Sequence, residues 1–231
     1  HFYEHIRAYF LSYFPKLISY NRFVHTMRSL FIPLFAYLLH HVGAVSGIAF
    51  IDSTSIAVCH NKRIRRNKVF KNLAKRGKTT SGWFYGFKLH LIINDKGEIL
   101  AFQLTQGSVS DVSMVETLSK GIIGKLFGDK GYVSAELCQK LLQRGLQLFT
   151  TIKSNMKQKL IGLKDKLLLR KRSLIETVND QLKNISQIEH TRHRSPHNFL
   201  INLLAGIGAY SLQPKKPSLN LSQFEDALAI I

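Results

Sequence analysis

Apolar positions fall into two regimes that meet near residue 45. Upstream, HFYEHIRAYFLSYF and SYNRFVHTMRSLFIPLFAYLLHH are aromatic-rich and recur at helical spacing, with breaks near Pro15 and Pro33. From Gly47 the runs shorten and take strand character: GIAFIDSTSI, FYGFKLHLIIN and EILAFQLTQ. The last two are joined by Asp95-Lys96-Gly97, a turn with glycine where a positive φ is convenient. These three predict an antiparallel meander. Ser110 to Lys120 predicts a helix with Asp111 as its cap, KLFGD a fourth strand, Ser134 to Arg144 an amphipathic helix stopped by Gly145, and LQLFTTI a fifth strand. A strand–helix–strand unit after the meander predicts an α/β layer on a five-stranded mixed sheet, preceded by a short helical N-terminal segment. The expected organisation is a helical segment over 1–43, an α/β domain over 44–212 and a tail over 213–231.

A further helix follows the fifth strand. Leu174, Ile175, Val178, Leu182 and Ile185 share one face, and Arg172, Glu176, Asp180 and Lys183 the other. Leu167 to Leu169 and Arg170 to Arg172 extend it upstream, which places Glu176 in mid-helix and leaves Ser173 with no terminus to cap, although Ser173-x-x-Glu176 has capping-box spacing. Gly206 and Gly208 in LLAGIGAY predict a tightly packed C-terminal helix.

Three acidic residues stand out in this framework: Asp52 at the end of GIAFID, Asp129 in KLFGDKGY and Glu176 on the helix. Carboxylates projecting from strand ends suit Mg²⁺, a hard ion that takes oxygen ligands, and a pair of such ions stabilises both oxygens of an in-line displacement at phosphorus. Each also has a plainer reading, Asp52 as a cap, Asp129 as a turn residue and Glu176 as part of a solvated face. Asp95 reads as a turn residue, and Asp180 as a spare carboxylate one turn beyond Glu176.

Charge narrows the partner. Lys and Arg total 33 against 14 Asp and Glu, a formal charge of +19 with a pI near 10.1, which suits a polyanion. Asn61 to Lys78 carries Lys62, Arg63, Arg65, Arg66, Lys68, Lys71, Lys75, Arg76 and Lys78, and reads as a segment along a phosphate backbone or, more plainly, a solvated loop. A second basic stretch spans Lys153 to Arg172. Arg172 and Lys183 flank Glu176 on its face, and Arg192 and Arg194 lie between histidines in EHTRHRSPH, a loop that contacts DNA or pairs with acids. His190, His193 and His197 have spacing compatible with zinc but lack a cysteine or a HExxH frame. Cys59 and Cys138 show no pairing framework and read as buried thiols of a reducing compartment. Trp83, Tyr85 and Phe87 alternate with period two, as core or cross-strand residues, with base stacking by Trp83 as the alternative. The apolar stretches Leu30 to Leu39 and Phe199 to Tyr210 fall short of the roughly 20 residues of a membrane span. The opening His-Phe-Tyr-Glu has no signal-peptide design and no initiator methionine, which reads as a fragment or processed product.

The order and wording of these segments resemble insertion-sequence transposases of the DDE class, whose third acidic residue lies in a helical pattern of Tyr, two residues, Arg, three residues, Glu, six residues and Lys. Arg172, Glu176 and Lys183 fit that spacing, while Leu169 stands at the tyrosine position. AKRGKTTSGWFYGFKLHLIIN, GDKGY and IEHTRHRSPHNFLINLLAG extend the resemblance over roughly residues 45 to 210. It implies a ribonuclease H-like α/β/α layer and a metal-binding catalytic triad of Asp52, Asp129 and Glu176. It also implies two Mg²⁺ ions, with Mn²⁺ as substitute, and double-stranded DNA as partner, both element ends and target. The activity implied is phosphodiester hydrolysis at element ends followed by strand transfer, by a homodimer or higher synaptic assembly in the prokaryotic cytosol, nucleoid-associated and not at a membrane. Two rivals remain at this stage, a nuclease of the same fold without strand transfer and a non-enzymatic or decayed basic DNA-binding protein.

Overall fold

A computed structural model of the chain describes residues 2–80, 82–151, 161–190 and 192–220. The N-terminal run forms α1 (Phe2–Tyr9), α2 (Tyr20–Met27) and α3 (Phe31–His40). Ser19 opens α2, its hydroxyl accepting the Arg22 N–H. Tyr3 gathers the rings of Tyr20 and Phe23 around it at 5.5 Å, while Tyr9, Tyr13 and Ile32 stay exposed.

β-Branched and aromatic residues then build β1 (Ile48–Cys59), β2 (Lys75–Thr79), β3 (Gly82–Asn94) and β4 (Ile99–Gln106). α4 (Asp111–Leu118), β5 (Gly124–Gly128), α5 (Ala135–Gln143), β6 (Leu146–Thr150), α6 (Leu163–Arg170), α7 (Ser173–Asn184) and α8 (Pro196–Ser211) complete the chain. β3 lies antiparallel to β1, β2 and β4; β1, β5 and β6 run parallel. Without β2, the order is β4-β3-β1-β5-β6, the meander followed by a parallel pair that the sequence predicts and that the resemblance places in a ribonuclease H-like layer.

The sheet has six strands rather than five. The addition, β2, lies inside the basic run, where its residues Lys-Arg-Gly-Lys-Thr carry no apolar alternation for a pattern to reveal. Pairing with the first half of β3 makes it a strand, and Gly77 permits this because a β-carbon there would collide with the Gly107 carbonyl and the Phe84 ring. β6 ends at Thr150; Ile152, the last residue of the expected strand, and Lys153, Lys157 and Lys159 of the second basic stretch lie outside the described residues.

Alternation along β1 feeds two cores. Phe50 and Ile56, with Leu89 and Leu91 of β3, pack against Ile175, Val178 and Leu182 of α7 and Phe199, Leu203 and Ile207 of α8. Ala49, Ile51 and Ile92 pack on the opposite face against Val115 and Leu118 of α4 and Leu137 and Leu141 of α5. Gly206 lets α8 press against Ile188, and the Tyr210 hydroxyl donates to the Gly97 carbonyl at 2.7 Å. α3 docks on α8, where a His197 ring nitrogen lies 2.9 Å from the Arg28 carbonyl.

Candidate active site

Parallel pairing of β1 with β5 aligns Phe50 with Phe127, so Asp52 and Asp129, each two residues farther on, come to adjacent strand positions. Asp52 shares the face of Phe50, toward α7. Asp129 directly follows β5 and caps the next 3-10 turn, its Oδ1 accepting the Gly131 N–H at 2.7 Å.

Glu176 reaches the site from α7, but not from mid-helix. α6 stops at Arg170, Lys171 and Arg172 form a tight turn, and α7 begins at Ser173, which puts Glu176 in its first turn. The apolar and basic residues upstream are helical as expected; the break comes where the Arg172 amide bonds back to Leu169 rather than one residue earlier. Ser173 still makes no cap, since Arg172 is the N-cap and lacks a side-chain capping bond. Leu169, at the family's tyrosine position, is half-buried against the core.

Arg172 ties the carboxylates together. Its Nη2 is 2.7 Å from Glu176 Oε1 and its Nη1 4.0 Å from Asp52 Oδ1. On the other side of Asp52, the Asn179 amide donates to Oδ2 at 3.0 Å. Burial pushes the Asp52 carboxyl up to about 6; Arg172 and the Ser53 N–H oppose this, while Asp129 and Glu176 add to it. Asp129 and Glu176 thus both act electrostatically on Asp52.

Sequence reasoning passed over Asn179. Its signal was there: four residues after Ile175, on the apolar stripe of α7, a polar residue needs a buried partner. Asn179 Oδ1 is buried and finds no hydrogen-bond partner among the described residues. Asp180, read as a spare carboxylate, is exposed and accepts from Asn184 instead.

Lys183 pairs with Glu189 Oε2 at 2.9 Å, and Glu189 Oε1 accepts the Ala57 N–H at 2.7 Å where the β1–β3 ladder shifts register. Glu189 was also missed. Behind the sheet, Lys88 donates to Val109 O and Asp111 Oδ1 at 3.0 and 3.1 Å, and His90 Nε2 lies 2.8 Å from Thr105 Oγ1. Asp111 therefore pairs with Lys88 rather than capping α4, whose N-cap is Ser110.

The predicted basic residues lie at the surface. Lys62, Arg63, Arg65 and Arg66 occupy an exposed 3-10 turn, Lys68 follows it, and Lys75 and Arg76 project from β2. Phe70, fully buried, anchors this stretch. Arg192 and Arg194 are exposed ahead of α8. Tyr85 is buried and Phe87 half-buried, but Trp83 is 61% exposed with Lys78 Nζ 5.8 Å from its ring. His190 and His193 stack at 3.6 Å.

Among the described residues no three His, Cys, Asp or Glu side chains surround a common metal position, and this includes both the histidines and the acidic triad. By chemistry the residues nevertheless suit a hard divalent ion: Asp52 and Asp129 occupy adjacent strand positions, Arg172 lies between Asp52 and Glu176, and the Asp52 carboxyl is held up to about 6 by burial that a cation would offset. As arranged here, Arg172 supplies the positive charge between Asp52 and Glu176.

A family model described as Transposase DDE domain matches residues 42–196. No curated protein matches the chain. Among solved structures, a piggyBac transposase synaptic complex with hairpin DNA aligns with 12% identity and a TM-score of 0.46, covering 79% of this chain and 52% of that one. The chain thus spans about half the length of that transposase.

Proposed function

The chain belongs to the transposase DDE domain family, and on that premise we propose that it carries out metal-dependent phosphodiester hydrolysis at element ends and joins the freed 3′-hydroxyl to target DNA. The observation that carries the reading is the placement of Asp52 and Asp129 at adjacent strand positions, with Glu176 linked to Asp52 through Arg172. These side chains would hold the divalent ions, two Mg²⁺ with Mn²⁺ as substitute. Such ions stabilise charge on phosphoryl oxygens and make water or a hydroxyl a better nucleophile.

The chain's own residues orient the substrate. Lys62, Arg63, Arg65, Arg66, Lys68, Lys75 and Arg76 follow a phosphate backbone, Arg192 and Arg194 contact it farther along, and Arg172 and Lys183 face phosphates near the scissile bond. In the first step a water oxygen bonds to phosphorus and the P–O3′ bond breaks, leaving a 3′-hydroxyl and a 5′-phosphate. In the second, that 3′-oxygen attacks a target phosphodiester and displaces the target strand's own 3′-oxygen. Two such events on paired ends call for a homodimer or larger synaptic assembly, acting on double-stranded DNA in the cytosol. No described helix is long and apolar enough to cross a membrane.

The test is end joining. A labelled duplex carrying the element's terminal sequence and a 3′-hydroxyl, incubated with plasmid, chain and Mn²⁺, should appear covalently joined to plasmid. Cleavage without joining would support a nuclease of the same fold instead. Metal-independent binding with neither reaction would overturn the enzymatic reading.

A further inference from the structure

Arg172 stands out because its guanidinium lies between two carboxylates that the proposed reaction assigns to a divalent ion. It touches Glu176 at 2.7 Å and approaches Asp52 at 4.0 Å, with only 22% of its side chain exposed. Its place is fixed by the backbone: the tight turn at Lys171–Arg172 sets it one helical turn ahead of Glu176. Asn179 holds Asp52 from the far side. The guanidinium hydrogen-bonds Glu176 and acts on Asp52 through charge alone, so it partly neutralises both carboxylates from the position that a second cation between them would take.

From this bridge we infer that Arg172 is an internal stand-in for the metal, and that a DNA phosphate, by drawing the guanidinium away, opens Asp52 and Glu176 to the divalent ion. A guanidinium is an apt element for this exchange. It is always charged, and its planar fork pairs with carboxylate or phosphate alike. Asp52 and Glu176 lose one cation as they gain another, so the buried Asp52 is never left ionised without compensation. DNA and metal thereby raise each other's affinity, a reciprocity that any coupling between two sites must obey. The site is charged with metal once substrate is in place. This inference rests on the assignment of the acidic triad as metal ligands.

The experiment is Mn²⁺ binding to the full chain, read from the paramagnetic resonance signal of the free ion, with and without a short duplex whose own Mn²⁺ uptake is subtracted. Without DNA, Arg172→Gln should bind Mn²⁺ about tenfold tighter than wild type. Wild type should gain affinity on adding duplex by about the same factor, within the usual range for coupled sites, and Arg172→Gln should gain little. Lys140→Gln, which removes the same charge from the surface of α5, controls for net charge and should leave affinity nearly unchanged. Should circular dichroism show Arg172→Gln unfolded, Arg172→Met keeps the aliphatic stem packed and carries the same expectation. Asp129→Asn separates the two levels. If it weakens Mn²⁺ binding while Arg172→Gln fails to tighten it, or tightens it no more than Lys140→Gln does, the stand-in role is wrong and the metal site stands. If Asp129→Asn changes nothing, the metal site itself falls.

Discussion

Asn179 and Asp52, 127 residues apart in sequence, are joined by a 3.0 Å hydrogen bond from the amide of α7 to the carboxylate of β1. Through it the helix that brings Glu176 is locked to the strand that brings Asp52. Burial of Val178 and Leu182 brings α7 to the sheet, and the polar contact fixes its register there.

Asn179→Ala should therefore destabilise the chain by about 1.5–3 kcal/mol at pH 8, the usual worth of a hydrogen bond to a charged group. The loss should shrink toward pH 4, where Asp52 is protonated. Urea unfolding at the two pH values measures both.

Asp52 itself titrates at about 6 in the folded chain against a reference of 3.8. The folded state thus binds its proton more tightly than the unfolded one, so this contribution to stability is fully present below pH 3.8 and is lost as pH rises through 6. Asp52→Asn should stabilise the chain without added metal at pH 8 by up to about 3 kcal/mol and give no advantage near pH 3.5. Unfolding curves of both proteins across that range decide the sign.

Glu189 joins the Ala57 amide to Lys183. Glu189→Ala leaves a half-buried amide and an ammonium without that acceptor, and should cost about 1–3 kcal/mol, whereas exposed Trp83→Ala should cost less than about 0.5 kcal/mol. Parallel denaturant titrations compare the two.

The exposed turn at Lys62–Arg66 predicts a salt signature. Each of Arg65→Gln and Arg66→Gln should lower the slope of log affinity for duplex DNA against log salt by about one. Fluorescence anisotropy at several salt concentrations gives the slopes; unchanged slopes would place the DNA elsewhere.

Much of the molecule was legible in its residues because local rules and tertiary outcome agree. Gly97 and Gly145, at the predicted turn and helix stop, both take positive φ, and the parallel β1–β5 register brings Asp52 and Asp129 alongside each other. β2 was hidden because only its partner β3, and not its own side chains, makes it a strand. The start of α7 was hidden because the break is confined to Lys171, whose ψ opens to 5°, while Arg172 is already helical, so helical periodicity runs across it. The engagement of Arg172 with Asp52 depends on a contact between distant segments, and that of Lys183 with Glu189 on the chain turning back after α7; spacing along one helix encodes neither.

The measurement that bears most directly on the account is nicking of supercoiled plasmid at low salt with Mg²⁺ or Mn²⁺, comparing wild type with Asp129→Asn. The account predicts metal-dependent nicks by wild type that vanish in the variant, while DNA binding is retained. Equal nicking by both proteins, or none by either with binding intact, would contradict the assignment of Asp52, Asp129 and Glu176 as a phosphoryl-transfer site.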